Sequence, residues 1–167
     1  RAHYLAKLIM PTRLLEFGRF AASNRAGWGL DKPETFNFLG YTLICGRSWW
    51  GKFVIRRKSQ RERLRAKLKE IKKELRRRMH QPIPEQGQWL AQVVKGYFAY
   101  HAVPTNGPTL CTFLLHIMRL WLRKARRRSQ KDRFEWRRAE KHVDEWFPKP
   151  RILHPWPQER FAARHPK

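Results

Sequence analysis

Acidic residues are scarce in this chain: 13 Asp and Glu stand against 38 Lys and Arg, leaving a formal net charge of +25 and a pI near 11.4. With so few carboxylates, no cluster resembles the set that holds two metal ions for phosphoryl transfer. Asp31 falls in an expected loop, and Asp132 and Asp144 fall in a basic helical segment. Glu16, Glu34 and Glu85 read as turn, capping or ion-pair residues. Cysteine is nearly missing. Cys45 and Cys111 sit in dissimilar contexts, an apparent hairpin and an apolar helix, which argues against a disulfide framework and fits a reducing compartment. The seven His residues never pair at helical ligand spacing and no Cys pair forms a zinc knuckle, so no structural metal is expected. No glycine-rich loop leads into Lys-Ser or Lys-Thr. The longest apolar stretch, Leu110 to Leu122, is interrupted by Thr112, His116 and Arg119 and falls short of the ~20 residues a membrane span needs. The N-terminus lacks a secretory pattern, and a start at Arg1 rather than Met reads as a piece of something longer.

What is present is apolar and basic in alternation. Hydrophobic residues make up 41% and aromatics 13% of the 167 residues, with eight Trp, too much apolar surface for a solvated coil. That length supports one sizeable core, or one and a fragment of another. Self-repulsion at +25 opposes compaction unless a polyanion relieves it, so the expected partner is RNA or DNA.

Patterning predicts a mainly α chain with a small β-hairpin element, a three-helix bundle, and a basic, Pro-rich tail. The expected domains are 1–58, 59–128 and 129–167. Thr12 to Phe17 reads as a strand, and Gly18 to Pro33 as a loop broken by Gly27, Gly29 and Pro33. Phe36 to Ile44 and Lys52 to Arg57 read as a hairpin around a Gly46 to Gly51 turn, with Phe36, Phe38 and Thr42 alternating against Asn37 and Tyr41. Leu64, Leu68, Ile71, Leu75 and Met79 recur at steps of three and four and predict a first helix ending before Pro82 and Pro84. A second helix is expected over Gln86 to His101. A third starts near Pro108 and carries Leu110, Phe113, Leu114, Ile117, Met118, Trp121 and Ala125 on one stripe. Phe134, Trp136, Val143, Trp146 and Phe147 suggest a short fourth helix. Beyond it Pro148, Pro150, Pro155, Pro157 and Pro166 speak against a compact fold.

The first helix carries the chemistry. Between Arg56 and Arg78 there are 13 Lys or Arg against Glu62, Glu70 and Glu74. Placed at about 100° per residue, one flank mixes Arg63, Lys67 and Arg78 with Glu70 and Glu74, where spacings of three and four allow internal pairing. The other presents Arg65, Lys69, Lys72 and Arg76, continued by Lys73, with Glu62 the only nearby acid. This uncompensated flank is the expected nucleic-acid face, with Arg56, Arg57, Lys58, Arg61 and Arg77 in the same run. A second basic run, Arg123 to Lys141, extends it through Arg123, Arg126 and Arg127 and onward to Arg133, Arg137 and Arg138. Trp89, Tyr97, Phe98, Phe113 and Trp121 could stack on bases, but their helical period assigns them to the core. Trp49 and Trp50, at a hairpin tip with little local core, are candidates for base or sugar contact.

Pro33-Glu34-Thr35-Phe36-Asn37-Phe38-Leu39-Gly40-Tyr41-Thr42, together with Glu16-Phe17-Gly18-Arg19-Phe20-Ala21, resembles the last block of the reverse transcriptase encoded by bacterial group II introns. The similarity continues through Arg63 to Lys72, then Trp89-Leu90 and Val94 to Pro104, which resemble that family's maturase-specific, or thumb, region. It closes on Pro150-Arg151-Ile152-Leu153-His154-Pro155-Trp156-Pro157 and covers about Thr12 to Phe161. The chain departs from the pattern at Met10-Pro11, where Lys is usual before Thr12, and at Asn37, where Asp is common. The first ten residues match poorly.

The resemblance implies that residues up to 58 are the edge of a polymerase palm, with an exit hairpin over about 36–57, and that 59–128 form a thumb of three helices. It implies that Phe38, Leu39 and Gly40 lie near the primer strand. The implied partners are a structured group II intron RNA and the RNA/DNA template-primer duplex, with contact to a fingers-palm segment, in the bacterial cytoplasm. The implied work is RNA splicing and the reverse transcription that moves the mobile element. The Tyr-Ala-Asp-Asp loop of the family is missing from this sequence, so no catalytic residue is expected, and Mg²⁺ belongs only to a palm active site elsewhere. The alternatives are the tail of an intact RNA-directed DNA polymerase and a general basic, rRNA-binding structural protein.

Overall fold

The computed structural model describes residues 15–127 and 136–157. Among these the fold is mainly α: α1 (Ala21–Gly27), β1 (Phe36–Phe38), β2 (Tyr41–Arg47), β3 (Phe53–Ser59), α2 (Arg61–Arg77), α3 (Ile83–His101), α4 (Gly107–Ala125) and α5 (Trp136–Trp146). The strands form one antiparallel sheet in the order β1-β2-β3. The chain divides into two compact units, one within Arg1–Phe36 and Ile44–Ile55, the other within Asn37–Leu43 and Arg56–Lys167.

In the first unit the expected loop contains α1. Ala21, Ala22 and Ala26 supply enough helix propensity for two turns, and Gly29 at φ +66° ends the segment. Arg25 holds the following turn by donating from Nε to the Asp31 carbonyl at 2.9 Å. Phe17 meets Phe36 edge to face at 4.7 Å. Leu15 to Phe17, the described part of the strand expected over Thr12 to Phe17, carry no strand. The β2–β3 tip belongs to this unit and is tightly tied. Ser48 N–H donates to the Lys52 carbonyl at 2.8 Å, Lys52 N–H to Ser48 Oγ at 3.1 Å, and Gly51 N–H to the Ser48 carbonyl at 3.0 Å.

In the second unit α2, α3, α4 and α5 enclose one core. The expected α4 stripe is the centre of it: Leu110, Phe113, Ile117 and Trp121 are fully buried against Ile71 and Leu75 of α2 and Leu90, Val94 and Phe98 of α3. From α5, Ala139 and Val143 join the same core, followed by Phe147. Trp146 lies so close to Gly87 that a Cβ at that position would overlap its ring, so glycine there is what lets α5 approach α3. α3 starts three residues before its expected position, because Pro84 sits in its first turn, where the missing N–H has no helical partner to lose.

Gln86 joins three helices. Its buried amide donates from Nε2 to the Arg78 and Gln81 carbonyls, at 3.0 and 2.9 Å, covering the end of α2. Its Oε1 accepts from Trp121 Nε1 at 3.1 Å. The Pro-rich segment after α5 has no helix or strand through Trp156, yet it is docked, contrary to the expectation for that composition. Leu153 and His154 N–H both donate to the Ala102 carbonyl, and His154 Nε2 donates to that of Ala99 at 2.7 Å. It thereby satisfies carbonyls that the end of α3 leaves open. Among the described residues no helix is long and apolar enough to cross a membrane.

Candidate nucleic-acid interface

α2 begins where β3 ends, and a buried polar network fixes that junction. Ser59 N–H donates to Asn106 Oδ1 at 3.0 Å, and Asn106 Nδ2 donates to Ser59 Oγ at 2.9 Å and to the His101 carbonyl at 2.8 Å. These bonds define the orientation of an amide with no solvent exposure. Ser59 Oγ lies 3.0 Å from His101 Nδ1, whose lone pair can accept the serine proton when the ring is neutral. Two residues earlier in β3, Arg57 N–H donates to Thr105 Oγ1 at 2.7 Å.

Burial holds His101 neutral, and the nearby Arg63 charge adds to it, bringing the pKa down to about 4 from 6.5. The unfolded chain therefore binds the extra proton first. Stability from this group is fully present above pH 6.5, is lost as pH falls from 6.5 towards 4, and changes no further below that. With screening allowed for, the loss should be about 1–2 kcal/mol. Urea unfolding across this window should show it in the wild type, with a flatter profile in His101→Gln.

With the junction fixed, Ile71 and Leu75 face the core and the charged residues are divided between two flanks. On the first, Lys67 pairs with Glu70 at 3.0 Å, and Glu74 accepts from Arg78 at 2.9 Å and meets Arg77 at 3.5 Å. Arg78 also lies 5.0 Å over the Trp89 ring. Arg77, expected on the nucleic-acid face, is thus partly neutralised. This flank borders a hollow of about 380 Å³ lined by both charge signs, with Lys73 and Arg77 beside Glu70 and Glu74.

The second flank presents Arg65, Lys69, Lys72 and Arg76, all exposed. It meets further cations from α4. The Lys124 side chain is largely covered, and its pKa is lowered by that burial and then by the charges of Arg127, Arg76 and Lys72, with no carboxylate offsetting them. Exposed Lys72 and Arg76 of α2 and exposed Arg127, in the turn after α4, thus form one cationic ridge around the covered Lys124. Beside it Arg119, Arg123, Arg126, Arg127 and Leu122 line a hollow of about 390 Å³.

Of the other expected residues, Arg61, Arg56 and Lys58 are exposed and Arg57 is half-buried. Arg137 is exposed on α5, while Arg133 lies outside the described residues, as does the Arg138 side chain. The continuous strand expected over Phe36 to Ile44 is broken. Leu39 at φ +46° and Gly40 at φ +82° make a tight turn between β1 and β2. The expected alternation fails with it, since Tyr41 is buried while Phe38 and Leu39 are exposed. Reciprocal tyrosine bonds clamp this turn to α3: Tyr100 Oη donates to the Leu39 carbonyl and Tyr41 Oη to the Tyr100 carbonyl, each at 2.6 Å. Burial pushes the Tyr41 hydroxyl up to about 12, so it stays protonated as a donor. A Cβ on Gly40 would come within 3.4 Å of the Arg63 guanidinium.

Sequence reading missed Lys124, which occupies a core position beside Trp121 and Ala125, and Arg119, whose neighbours on α4 are apolar. It also missed Asn106, which stands just before the helix expected to start near Pro108. Trp49 and Trp50 stand on the β2–β3 tip of the first unit, at 94% and 83% exposure. Cys45 is partly covered and Cys111 exposed, and both are free thiols. Comparison with protein-family models, with curated proteins and with solved structures returned no match.

Proposed function

We propose that this chain is the RNA-gripping thumb and maturase region of a group II intron reverse transcriptase, holding structured intron RNA or the RNA/DNA template-primer duplex through its phosphates. The supporting observation is the ridge of Lys72, Arg76, Lys124 and Arg127, flanked by Lys69 and Arg65. Lys72 and Arg76 come from α2, Lys124 from α4 packed against it and Arg127 from the turn that follows, and no acid figures among the charges acting on Lys124. A spacing fixed by a packed core suits the regular phosphates of an A-form backbone, and such contacts read shape more than sequence. Support for splicing and for copying would both follow from this grip. Any nucleotidyl transfer, with its Mg²⁺, would fall to palm residues that this sequence does not contain. Phe38, Leu39 and Gly40, on a clamped turn with two exposed apolar side chains, fit the primer-side role that the resemblance assigns to them.

Filter binding of a structured intron RNA across a salt series tests the grip. For about five engaged phosphates, log affinity should fall against log salt with a slope on the order of −4 to −5. Affinity unchanged between low and moderate salt would overturn it. A preference for the intron over a matched structured RNA is expected of a maturase, whereas equal binding points to a general rRNA-type protein.

A further inference from the structure

We infer that the β2–β3 tip is a stacking platform for unpaired bases, a second mode of nucleic-acid contact distinct from the phosphate grip. Trp49 and Trp50 expose 94% and 83% of their surface, the two most exposed large hydrophobics among the described residues. Two adjacent bare indoles are costly to keep in water, and here the backbone does nothing to hide them. The tip is instead held open by three short hydrogen bonds between Ser48, Gly51 and Lys52, with Gly51 at φ +73°. A turn fixed in this way presents rings without an ordering cost on binding.

The local chemistry selects the occupant. From Gly46 to Lys52 the sequence is Gly-Arg-Ser-Trp-Trp-Gly-Lys, so indoles are the only large apolar groups and cationic residues flank them. An aliphatic peptide groove or a bilayer interior would favour Leu, Ile or Phe beside the Trp residues, and the tip has none. Flat π-faces bordered by Arg47 and Lys52 match a polyanion that carries flat rings, namely nucleotides whose bases are free to stack. Paired bases inside a duplex offer no such face, so the predicted ligand is a single-stranded extension or loop next to a helix.

This inference rests on the proposed function only for the class of ligand, and the two fail separately. Binding is compared for a blunt RNA hairpin and for the same hairpin with a short unpaired extension carrying 2-aminopurine. The wild type should prefer the extended RNA by about tenfold and quench the 2-aminopurine, and Trp49→Ala/Trp50→Ala should bind both RNAs with the wild-type blunt affinity and leave the fluorophore bright. Trp49→Phe/Trp50→Phe should retain most of the preference, since a ring remains. Salt-independent binding of the blunt hairpin overturns the grip. Salt-dependent binding with no preference for the extension, or a preference that survives the double alanine variant, overturns the platform. So does tryptophan-dependent binding to phosphatidylserine vesicles without any effect of the extension, which would make the tip a lipid contact. Because both side chains are solvent-exposed, the variants should melt with the wild type.

Discussion

Replacing Trp121 with alanine should lower the unfolding free energy by about 4 kcal/mol or more, the largest stability loss expected from any single truncation in the core. The side chain is fully buried, stacks at 6.0 Å on Phe147, and spans the space between α3 and α5. Its removal leaves a cavity and also removes the Nε1 donor from Gln86 Oε1, stranding a buried acceptor. The melting temperature should fall by about 10 °C or more. Trp121→Phe separates the two contributions, because it restores most of the volume but not the donor. Its loss should be about half as large, and equal losses in chemical denaturation would mean that the hydrogen bond, not the packing, dominates.

The largest expected effect on binding comes from reversing charge on the acid-free flank. Lys69→Glu/Lys72→Glu should weaken RNA binding on the order of 100-fold at moderate salt and reduce the salt slope by about 2, because two phosphate contacts become repulsions. Neutralising Arg63 and Lys67 should change affinity less than about threefold. Lys67 is already paired with Glu70, and the exposed Arg63 lies beside Gly40, off the acid-free flank. Equal losses from both pairs would remove the sidedness and leave only a general charge effect. All four positions lie off the buried face of α2, so circular dichroism should report an unchanged helix content.

Much of this layout was legible because helices advertise themselves at steps of three and four. The α4 stripe from Leu110 to Ala125 is nearly all core, and the pairing of Glu70 and Glu74 with Lys67 and Arg78 follows from spacing alone. What escaped was set by partners distant in sequence or by unfavourable local signals. α1 is hidden among the Gly27, Gly29 and Pro33 signals that mark loops. The turn at Leu39-Gly40 carries a leucine at positive φ, where turn chemistry predicts Asn or Gly, and the Tyr100 clamp that holds it is 61 residues away. Lys124 lies within the second basic run, where nothing local sets it apart from its neighbours; only packing against α2 brings it beside Lys72 and Arg76. The docking of the Pro-rich segment was likewise invisible, because one backbone carbonyl, that of Ala102, receives both of its N–H groups.

Asn106 never approaches a ligand in any of these readings, yet it acts as an index pin for the surface that would. It grips Ser59, two residues before α2 begins, by both backbone and side chain. A slip of one residue at that junction would turn the helix by about 100°, carrying Lys69 and Lys72 away from the α4 cations and swinging the flank that holds Glu70 and Glu74 towards them. The polarity of the outer face is thus set by the azimuth at which a buried amide clocks the helix, and one side chain with no exposed surface decides which charges the solvent side presents.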